Sequence, residues 1–362
     1  MLSAEGAMGE AEIGRALLLL ETPPPAISVA EAAAAAGEHY GLAGDITPLA
    51  GERDRNFRLV APGTPALVLK FSNEEEDESA LAFQIALLRH IERTRPSLAA
   101  PRPRRTRTGD DVATIATAGG ARIALHALTF LPGIPAQGQP STETLRRGIG
   151  HVLGELALAL ADFHHPGSER VLLWDLMQAP ALRPVVPCVR DTGRRVFIER
   201  FLDRFETDLA PRLAPLPRQV IHNDLSTSNL MLAAAGDAGI AGIIDFGDAV
   251  LAPRVNDLAV AASYHLQAGE RPLDAVAGMV EAYEALVPLA EAEREVLPEL
   301  ILARLVIRTI INEWRGTRFP ENRVYIERNM RQAWMLLDHF MAMPDASRRD
   351  LAGQSFARGR RA

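Results

Sequence analysis

VIHNDLSTSNLML at residues 220–232 and GIIDFGD at residues 242–248 are the two stretches that decide the fold of this chain. In each stretch an acidic residue directly follows apolar residues that are typical of a strand. A strand end would therefore hold Asp224 and Asp245 at the mouth of a cleft, with Asn229 between them in the chain. An Asp, an Asn and a second Asp in this order favour phosphoryl transfer to a hydroxyl group from a nucleotide held by Mg²⁺.

The residue types predict a separate role for each of these side chains. As a catalytic base, Asp224 would orient an acceptor hydroxyl and take its proton. Asn229 and Asp245 offer the oxygen ligands that Mg²⁺ accepts while it keeps waters and phosphate oxygens. The structural alternative is a surface turn, because NDLSTSN is good turn chemistry by itself. Asp248 has the same two interpretations, with the structural one favoured, and His222 is expected to support the loop by hydrogen bonds.

Lys70 in ALVLKFS is the only lysine among the 39 lysine and arginine residues. A compact ammonium on a flexible stem is not equivalent to the planar fork of arginine, and from this strand it could reach nucleotide phosphates. A general preference for arginine, or a solvent-facing place on the strand, would also explain a lone lysine. We expect an acidic or polar partner on the next helix, where Glu78 and Gln84 are the candidates and the sequence leaves the choice open.

The segment GERDRNF at residues 51–57 precedes Lys70 and is expected to lie over the nucleotide phosphates. It lacks the G-x-G-x-x-G pattern of many phosphate-binding loops, so the signal is weak when taken alone. Asn56 and Phe57 at its end are the candidate nucleotide contacts.

Composition excludes several classes of protein. With 362 residues, 48% of them hydrophobic and 23% charged, the chain is expected to be a globular protein of more than one lobe. Its net charge of −7 disfavours a nucleic-acid partner and is compatible with a cationic substrate. The early apolar run is too short for a membrane span. Cys188 is the only cysteine, which excludes an intrachain disulfide and suits the reducing cytoplasm.

Hydrophobic periodicity predicts an α+β protein with a small antiparallel sheet lobe and a larger, mostly helical lobe. NFRLVA and ALVLKFS, joined by a Pro-Gly-Thr-Pro turn, are typical of a hairpin. The predicted divisions are a helical extension at 1–40, a nucleotide-binding lobe at 41–130, a catalytic lobe at 131–345 and a basic tail at 346–362. The predicted helices lie roughly at 28–37, 74–94, 141–163, 195–213, 255–268, 273–286, 290–315 and 322–342. Ser28 and Glu31 have the spacing of a capping box at the start of the first, and Asp257 is expected to be a helix N-cap or first-turn residue.

The pattern H-x-D-x4-N at 222–229 with I-D-F-G-D at 244–248 resembles the aminoglycoside phosphotransferase and choline kinase superfamily, relatives of the eukaryotic-like kinase fold. The similarity extends from about Pro23 to Phe340. Further segments resemble its hydroxylysine kinase branch: YGLAG at 40–44, ERDRNF at 52–57, LKFSN at 69–73, FLPG at 130–133, HPGSERVLLWDL at 165–176 and PENRVYI at 320–326.

The resemblance implies that Asp224 is the base, that Asn229 and Asp245 hold Mg²⁺, and that Lys70 binds phosphate. ATP or GTP would be the phosphate donor. A hinge beside the purine is implied at 128–131, and Gln84 occupies the place of the helix glutamate that pairs with the lysine in many members. The implied nucleotide contacts are Gln84, Leu128, Phe130 and Leu131.

By the same resemblance, the acceptor is the hydroxyl of a small amino-bearing metabolite, with a hydroxylysine-like amino acid favoured. Such an acceptor needs an arginine fork for its carboxylate and carboxylates for its ammonium groups. Arg308 and Arg315 are seven residues apart and share one helix face. The structural alternative is a set of interhelical ion pairs around a core tryptophan. The candidate acceptor residues are Trp174, Asp175, Arg308, Trp314 and Arg315.

Three other functions stay open at this point. An aminoglycoside kinase would need a strongly acidic rim, for which residues 273–299 offer six glutamates whose spacing also suits a solvated face. A kinase of other amino alcohols, of the choline or homoserine type, fits the same motifs. A nucleotide-binding regulatory module without turnover is disfavoured, because a degenerate kinase need not keep Asp224, Asn229, Asp245 and Lys70 together.

Overall fold

An antiparallel β-sheet lobe precedes a larger helical lobe, which confirms the two-lobed fold predicted from the sequence. The computed structural model describes residues 14, 16–18, 21–51, 53–117, 120–233, 239–269, 271–320 and 323–344. The predicted basic tail from residue 346 onward lies outside these ranges. Within them, no helix is long and apolar enough to cross a membrane.

Six antiparallel strands form the sheet of the N-terminal lobe, in the order β1-β2-β3-β6-β4 with β5 paired to β6. They are β1 (Asp45–Leu49), β2 (Arg55–Val60), β3 (Leu67–Phe71), β4 (Pro103–Arg104), β5 (Ala113–Ala116) and β6 (Arg122–Thr129). The predicted hairpin is confirmed as β2 and β3. Its register places Lys70 opposite Asn56 on one side and His126 on the other, so the three side chains share one face of the sheet.

Helix α1 (Val29–Ala35) belongs to the core of the N-terminal lobe. It begins at the predicted capping box, in which the Ser28 hydroxyl accepts the N–H of Glu31 and the Glu31 carboxylate accepts the N–H of Ser28. Ala32 on its buried face lies in the same apolar cluster as Phe57 of the sheet. The division expected at residue 40 therefore cuts through a packed unit, and α1 is part of the sheet lobe.

Helix α2 (Glu78–Thr94) joins the two lobes. Phe83 of this helix stacks on Phe163 of the helical lobe, with ring centroids 6.1 Å apart. One ring nitrogen of His90 lies 2.9 Å from the carbonyl oxygen of Ala159. The helix that follows the Lys70 strand is thus anchored on the catalytic lobe.

The helical lobe is built around one long buried helix, α8, which packs against α6, α9 and a 3₁₀ segment at Leu176–Cys188. The predicted helix at 255–268 ends earlier, and the one predicted at 273–286 begins as a 3₁₀ turn at Pro272–Val276. The helices are α3 (Glu143–Leu160), α4 (Thr192–Arg204), α5 (Ala210–Leu213), α6 (Val255–Ala262), α7 (Ala277–Glu284), α8 (Glu291–Arg318) and α9 (Arg323–Ala342).

Two short sheets position the polar loops of the opening stretches. Ile243 pairs with Leu230 in one sheet, and Val250 pairs with Ile221 in the other. The loops at 222–229 and 244–249 therefore lie side by side. The strands are β7 (Ile134–Pro135), β9 (Leu230–Leu232) and β10 (Ile240–Ile243) in the first sheet, and β8 (Arg218–Ile221) and β11 (Val250–Pro253) in the second.

Candidate active site

The loop at 222–229 is held by Asp257, a buried residue in the first turn of α6. Its carboxylate accepts the N–H of His222 at 2.9 Å and the N–H of Asn223 at 2.7 Å. Asn223 has a φ of 66°, a left-handed conformation that is uncommon outside glycine. The two hydrogen bonds fix this strained turn and so set the direction of Asp224. The sequence indicated only a helix-start residue at Asp257.

His222 supports the loop, as the sequence predicts. Its Nδ1 accepts the N–H of Asp224 at 3.3 Å, which leaves Nε2–H to donate to the carbonyl of Ile244 at 3.1 Å. The ring packs on Phe246, with centroids 4.6 Å apart. His222 thus links the loop of Asp224 to the loop of Asp245.

Both carboxylate oxygens of Asp224 have a partner. Arg304 donates to Oδ1 at 2.6 Å, and the amide of Asn229 donates to Oδ2 at 2.8 Å. Burial raises the pKa of Asp224 to about 7, while the positive charge of Arg304 opposes that rise. A carboxylate poised near neutrality in this way is suited to accept a hydroxyl proton.

Arg304 is a residue of the candidate site that the sequence analysis did not identify. It comes from the middle of α8 and its side chain is only 1% exposed. Its guanidinium also donates to the carbonyl of Trp174 at 2.7 Å and lies over the Trp174 ring at 5.1 Å. The sequence does contain one indication of this role: Arg304 is a lone arginine inside the apolar run at 300–307. A charge in such a run is expected to be buried and therefore needs a partner of opposite charge.

Asn229 and Asp245 lie next to each other, as a shared metal site requires. The N–H of Ile244 donates to the carbonyl of Asn229 at 2.9 Å, which brings the following Asp245 beside it. Asp245 has a φ of 64°, and the ammonium of Lys70 lowers the pKa of its half-exposed carboxyl. Across the described ranges, no cluster of three or more His, Cys, Asp or Glu residues could hold a metal. A pair of oxygen ligands fits Mg²⁺, which is usually completed by waters and phosphates.

Asp54, in the loop before β2, is the ion-pair partner of Lys70. The ammonium lies 3.2 Å from Oδ2 of Asp54 and 3.7 Å from Oδ1 of Asp245. Burial alone would lower the pKa of Lys70, but these two carboxylates raise it. Glu78 is exposed at the start of α2, and Gln84 lies buried beside Gly247. The expected partner on the helix is thus replaced by Asp54, in the segment at 51–57.

A second ion pair connects the loop of Asp54 to the loop at 244–249. Arg53 donates to Asp248 at 2.7 Å, and both side chains are mostly buried. Arg170 donates to the carbonyl of Gly247 at 3.0 Å and lies 3.9 Å from Glu76. Asp248 is therefore held by an ion pair with Arg53.

The predicted nucleotide contacts differ in where their side chains lie. Asn56 shares the face of Lys70 and its amide donates to the carbonyl of Ala50 at 3.4 Å. Phe57 points to the other face, fully buried against Phe71, so its side chain is a core residue and not a nucleotide contact.

The predicted hinge directly follows β6. The N–H of Phe130 donates to the carbonyl of Ala66 at 2.8 Å, and its ring lies 4.6 Å from the guanidinium carbon of Arg58. Leu128 is buried, and Leu131 packs close to Gly242 of β10, where a β-carbon would lie 2.7 Å from it. The segment thus links the sheet lobe to the strand that leads to Asp245.

The acceptor candidates lie at different distances from Arg304, the partner of Asp224. Trp174 contacts Arg304, and Arg308 lies one turn beyond Arg304 on α8. Asp175 is buried and caps the 3₁₀ segment by accepting the N–H of Met177 at 3.1 Å; burial raises its pKa to about 6. Trp314 is buried. Arg315 is roughly 17 Å along the helix from Arg304 at 1.5 Å per residue.

A family model described as "Phosphotransferase enzyme family" matches residues 45–294, more than half of the chain. The hydroxylysine kinase of Bos taurus is 25% identical over 342 residues, which cover 88% of this chain and 90% of that protein. The homoserine kinase of Methylobacterium radiotolerans is 30% identical over 243 residues, which cover 65% of this chain and 69% of that protein.

A solved structure of an amicoumacin kinase in complex with AMP-PNP and Ca²⁺ superposes with a TM-score of 0.65 at 14% identity. The match covers 91% of this chain and 94% of that one. At this level of identity the similarity establishes a common fold.

Proposed function

This chain belongs to the phosphotransferase enzyme family and is a kinase of small amine or amino-alcohol metabolites, and from this premise we propose a narrower activity. The enzyme transfers the γ-phosphate of ATP or GTP to the hydroxyl group of a small hydroxylated amino acid of the hydroxylysine type. The nucleotide is bound with Mg²⁺.

The meeting of Asp224, Asn229, Asp245 and Lys70 in one network of contacts carries the proposal. A chain of contacts links them: Asn229 donates to Asp224, its backbone accepts from the residue before Asp245, and Asp245 faces Lys70. Asp224 would take the hydroxyl proton, and Lys70 would bind phosphate oxygens. Mg²⁺ held by Asn229 and Asp245 would neutralise charge on the phosphates.

An acceptor of amino-acid size is supported by the relatives, since both hydroxylysine and homoserine carry a hydroxyl, an ammonium and a carboxylate. The amicoumacin kinase, seen with a nucleotide analogue and a divalent cation, supports the same donor chemistry on this fold.

The aminoglycoside alternative is disfavoured by the ion pairing of the acidic region at 273–299. An acidic rim needs carboxylates that are available to a polycationic ligand. Most of these carboxylates already pair with arginines, and Glu293 is fully buried against Arg254. The paired glutamates are Glu281, Glu284, Glu293, Glu295 and Glu299.

The test measures nucleoside diphosphate release from ATP and from GTP with Mg²⁺, in the presence of hydroxylysine, homoserine, aminopropanol or an aminoglycoside. Phosphorus NMR identifies the phosphate ester on the acceptor. We expect kcat/KM to be at least about tenfold higher for an amino acid than for the aminoglycoside. Asp224→Asn serves as the turnover control. Nucleotide binding without acceptor-dependent release would instead identify a regulatory module, and a preference for the aminoglycoside would overturn the proposal.

A further inference from the structure

Arg308 lies four residues beyond Arg304 on α8, and we propose that its guanidinium binds the carboxylate of the acceptor. The acceptor is then a hydroxylated α-amino acid, and amino alcohols without a carboxylate are poor substrates. This inference rests on the proposed kinase function and assigns a residue to the acceptor specificity of the same site.

The geometry places Arg308 at the right distance from the base. Residues four apart on a helix lie on one face, roughly 6 Å apart along the axis. Arg304 at the first of these positions contacts Asp224. An amino acid whose hydroxyl lies at Asp224 and whose chain follows α8 would present its carboxylate to Arg308.

Aromatic rings hold both guanidinium groups in fixed orientations. Arg308 lies over the ring of Tyr264 at 4.2 Å from its centroid, and Arg304 lies over Trp174. A guanidinium that stacks on an aromatic face keeps its N–H edge available for a bidentate carboxylate. Tyr264 therefore supports Arg308 without neutralising its charge.

Charge balance supplies the second argument. Arg304 has Asp224 as a counter-ion, whereas none of the described residues brings a carboxylate within 4.0 Å of Arg308. Burial lowers the pKa of Arg308 and the like charge of Arg304 adds to this effect, while Tyr264 and the more distant Asp224 act in the opposite direction. A ligand carboxylate would supply a counter-ion.

The test compares acceptors that differ only in the carboxylate. Hydroxylysine is compared with its decarboxylated form, and homoserine is compared with 3-amino-1-propanol. We expect Arg308→Gln to raise KM for the amino acids by about thirtyfold, the usual scale for a charge-assisted hydrogen-bonded pair. KM for the decarboxylated acceptors should change less than about threefold, and KM for the nucleotide should stay unchanged. Arg308→Lys should recover part of the loss, because it keeps the charge without the fork.

Arg318→Gln is the matched control, because it removes the same charge from an exposed position at the end of α8, where Arg318 pairs with Glu21. Arg315→Gln tests the rival position predicted from the sequence. An equal rise in KM for the amino acids and for the decarboxylated acceptors in Arg308→Gln would overturn the proposal. A larger rise in KM for the amino acids alone in Arg315→Gln would also overturn it.

A binding measurement separates this inference from the kinase function. Lysine carries the carboxylate but lacks the acceptor hydroxyl, and cadaverine lacks both. We expect calorimetry to detect lysine binding to the wild type and an affinity for lysine that is about tenfold or more lower in Arg308→Gln. Cadaverine should bind the wild type more weakly than lysine does. Carboxylate-selective binding without phosphorylation of any acceptor would contradict the proposed function alone. Equal binding of lysine and cadaverine would contradict the carboxylate site.

Discussion

Arg304 and Asp224 form an ion pair with a distance of 2.6 Å in which the arginine is buried, although they lie 80 positions apart in the chain. The pair joins the long helix α8 to the loop that carries the base. Because Asn229 holds the other carboxylate oxygen, Asp224 is fixed from two sides. The proposed base is therefore positioned by helix α8 as well as by its own loop.

Replacing the base should separate binding from turnover. We expect Asp224→Asn to lower kcat by at least about a hundredfold, the usual scale for a positioned base, and to leave nucleotide binding nearly intact. Steady-state kinetics and nucleotide titration measure the two effects. Turnover close to that of the wild type would remove Asp224 from the mechanism.

The pH dependence should report the environment of Asp224. The residue accepts a proton only when it is ionised, so kcat/KM should rise with pH across an apparent pKa of about 7. Arg304 favours the ionised form of Asp224. Arg304→Gln should therefore move the rise of kcat/KM to higher pH, and Arg304→Lys should move it less. If kcat/KM rises at the same pH in Arg304→Gln as in the wild type, a group other than Asp224 controls this pH dependence.

Removing the proposed metal ligand should uncouple Mg²⁺ from the nucleotide. We expect Asp245→Ala to abolish the tightening of nucleotide binding by Mg²⁺, because Asn229 alone offers no charge to the ion. Calorimetric titration of nucleotide with and without Mg²⁺ measures this. If Mg²⁺ still strengthens binding in Asp245→Ala, the ion is held elsewhere.

The ion pair of Lys70 predicts a difference between two carboxylates. Asp54 holds the ammonium beside Asp245, so Asp54→Asn should let Lys70 move onto Asp245 and raise KM for the nucleotide by about tenfold. Glu78→Gln, at the exposed start of α2, should change KM less than about twofold. The reverse order of effects would restore the helix glutamate as the partner of Lys70.

Local patterns were enough to predict the elements that carry the site. The alternation in NFRLVA and ALVLKFS gave the β2–β3 hairpin, and the Ser28–Glu31 spacing gave the start of α1. Helix ends were predicted less well: the helix predicted at 255–268 ends at Ala262. The apolar pattern there continues into a buried turn, so periodicity does not mark the end.

The sequence by itself determined which chemical groups this protein offers for phosphoryl transfer, because Asp224 and Asp245 directly follow apolar strand residues and Asn229 ends a polar turn. Only the tertiary structure decided which charges meet. Arg53 and Asp248 are 195 positions apart, and Arg304 reaches Asp224 from another helix. Many arginines could neutralise a given carboxylate in a chain so rich in them. The choice follows from how helices and loops pack, since a buried charge is stable only where the fold supplies its partner.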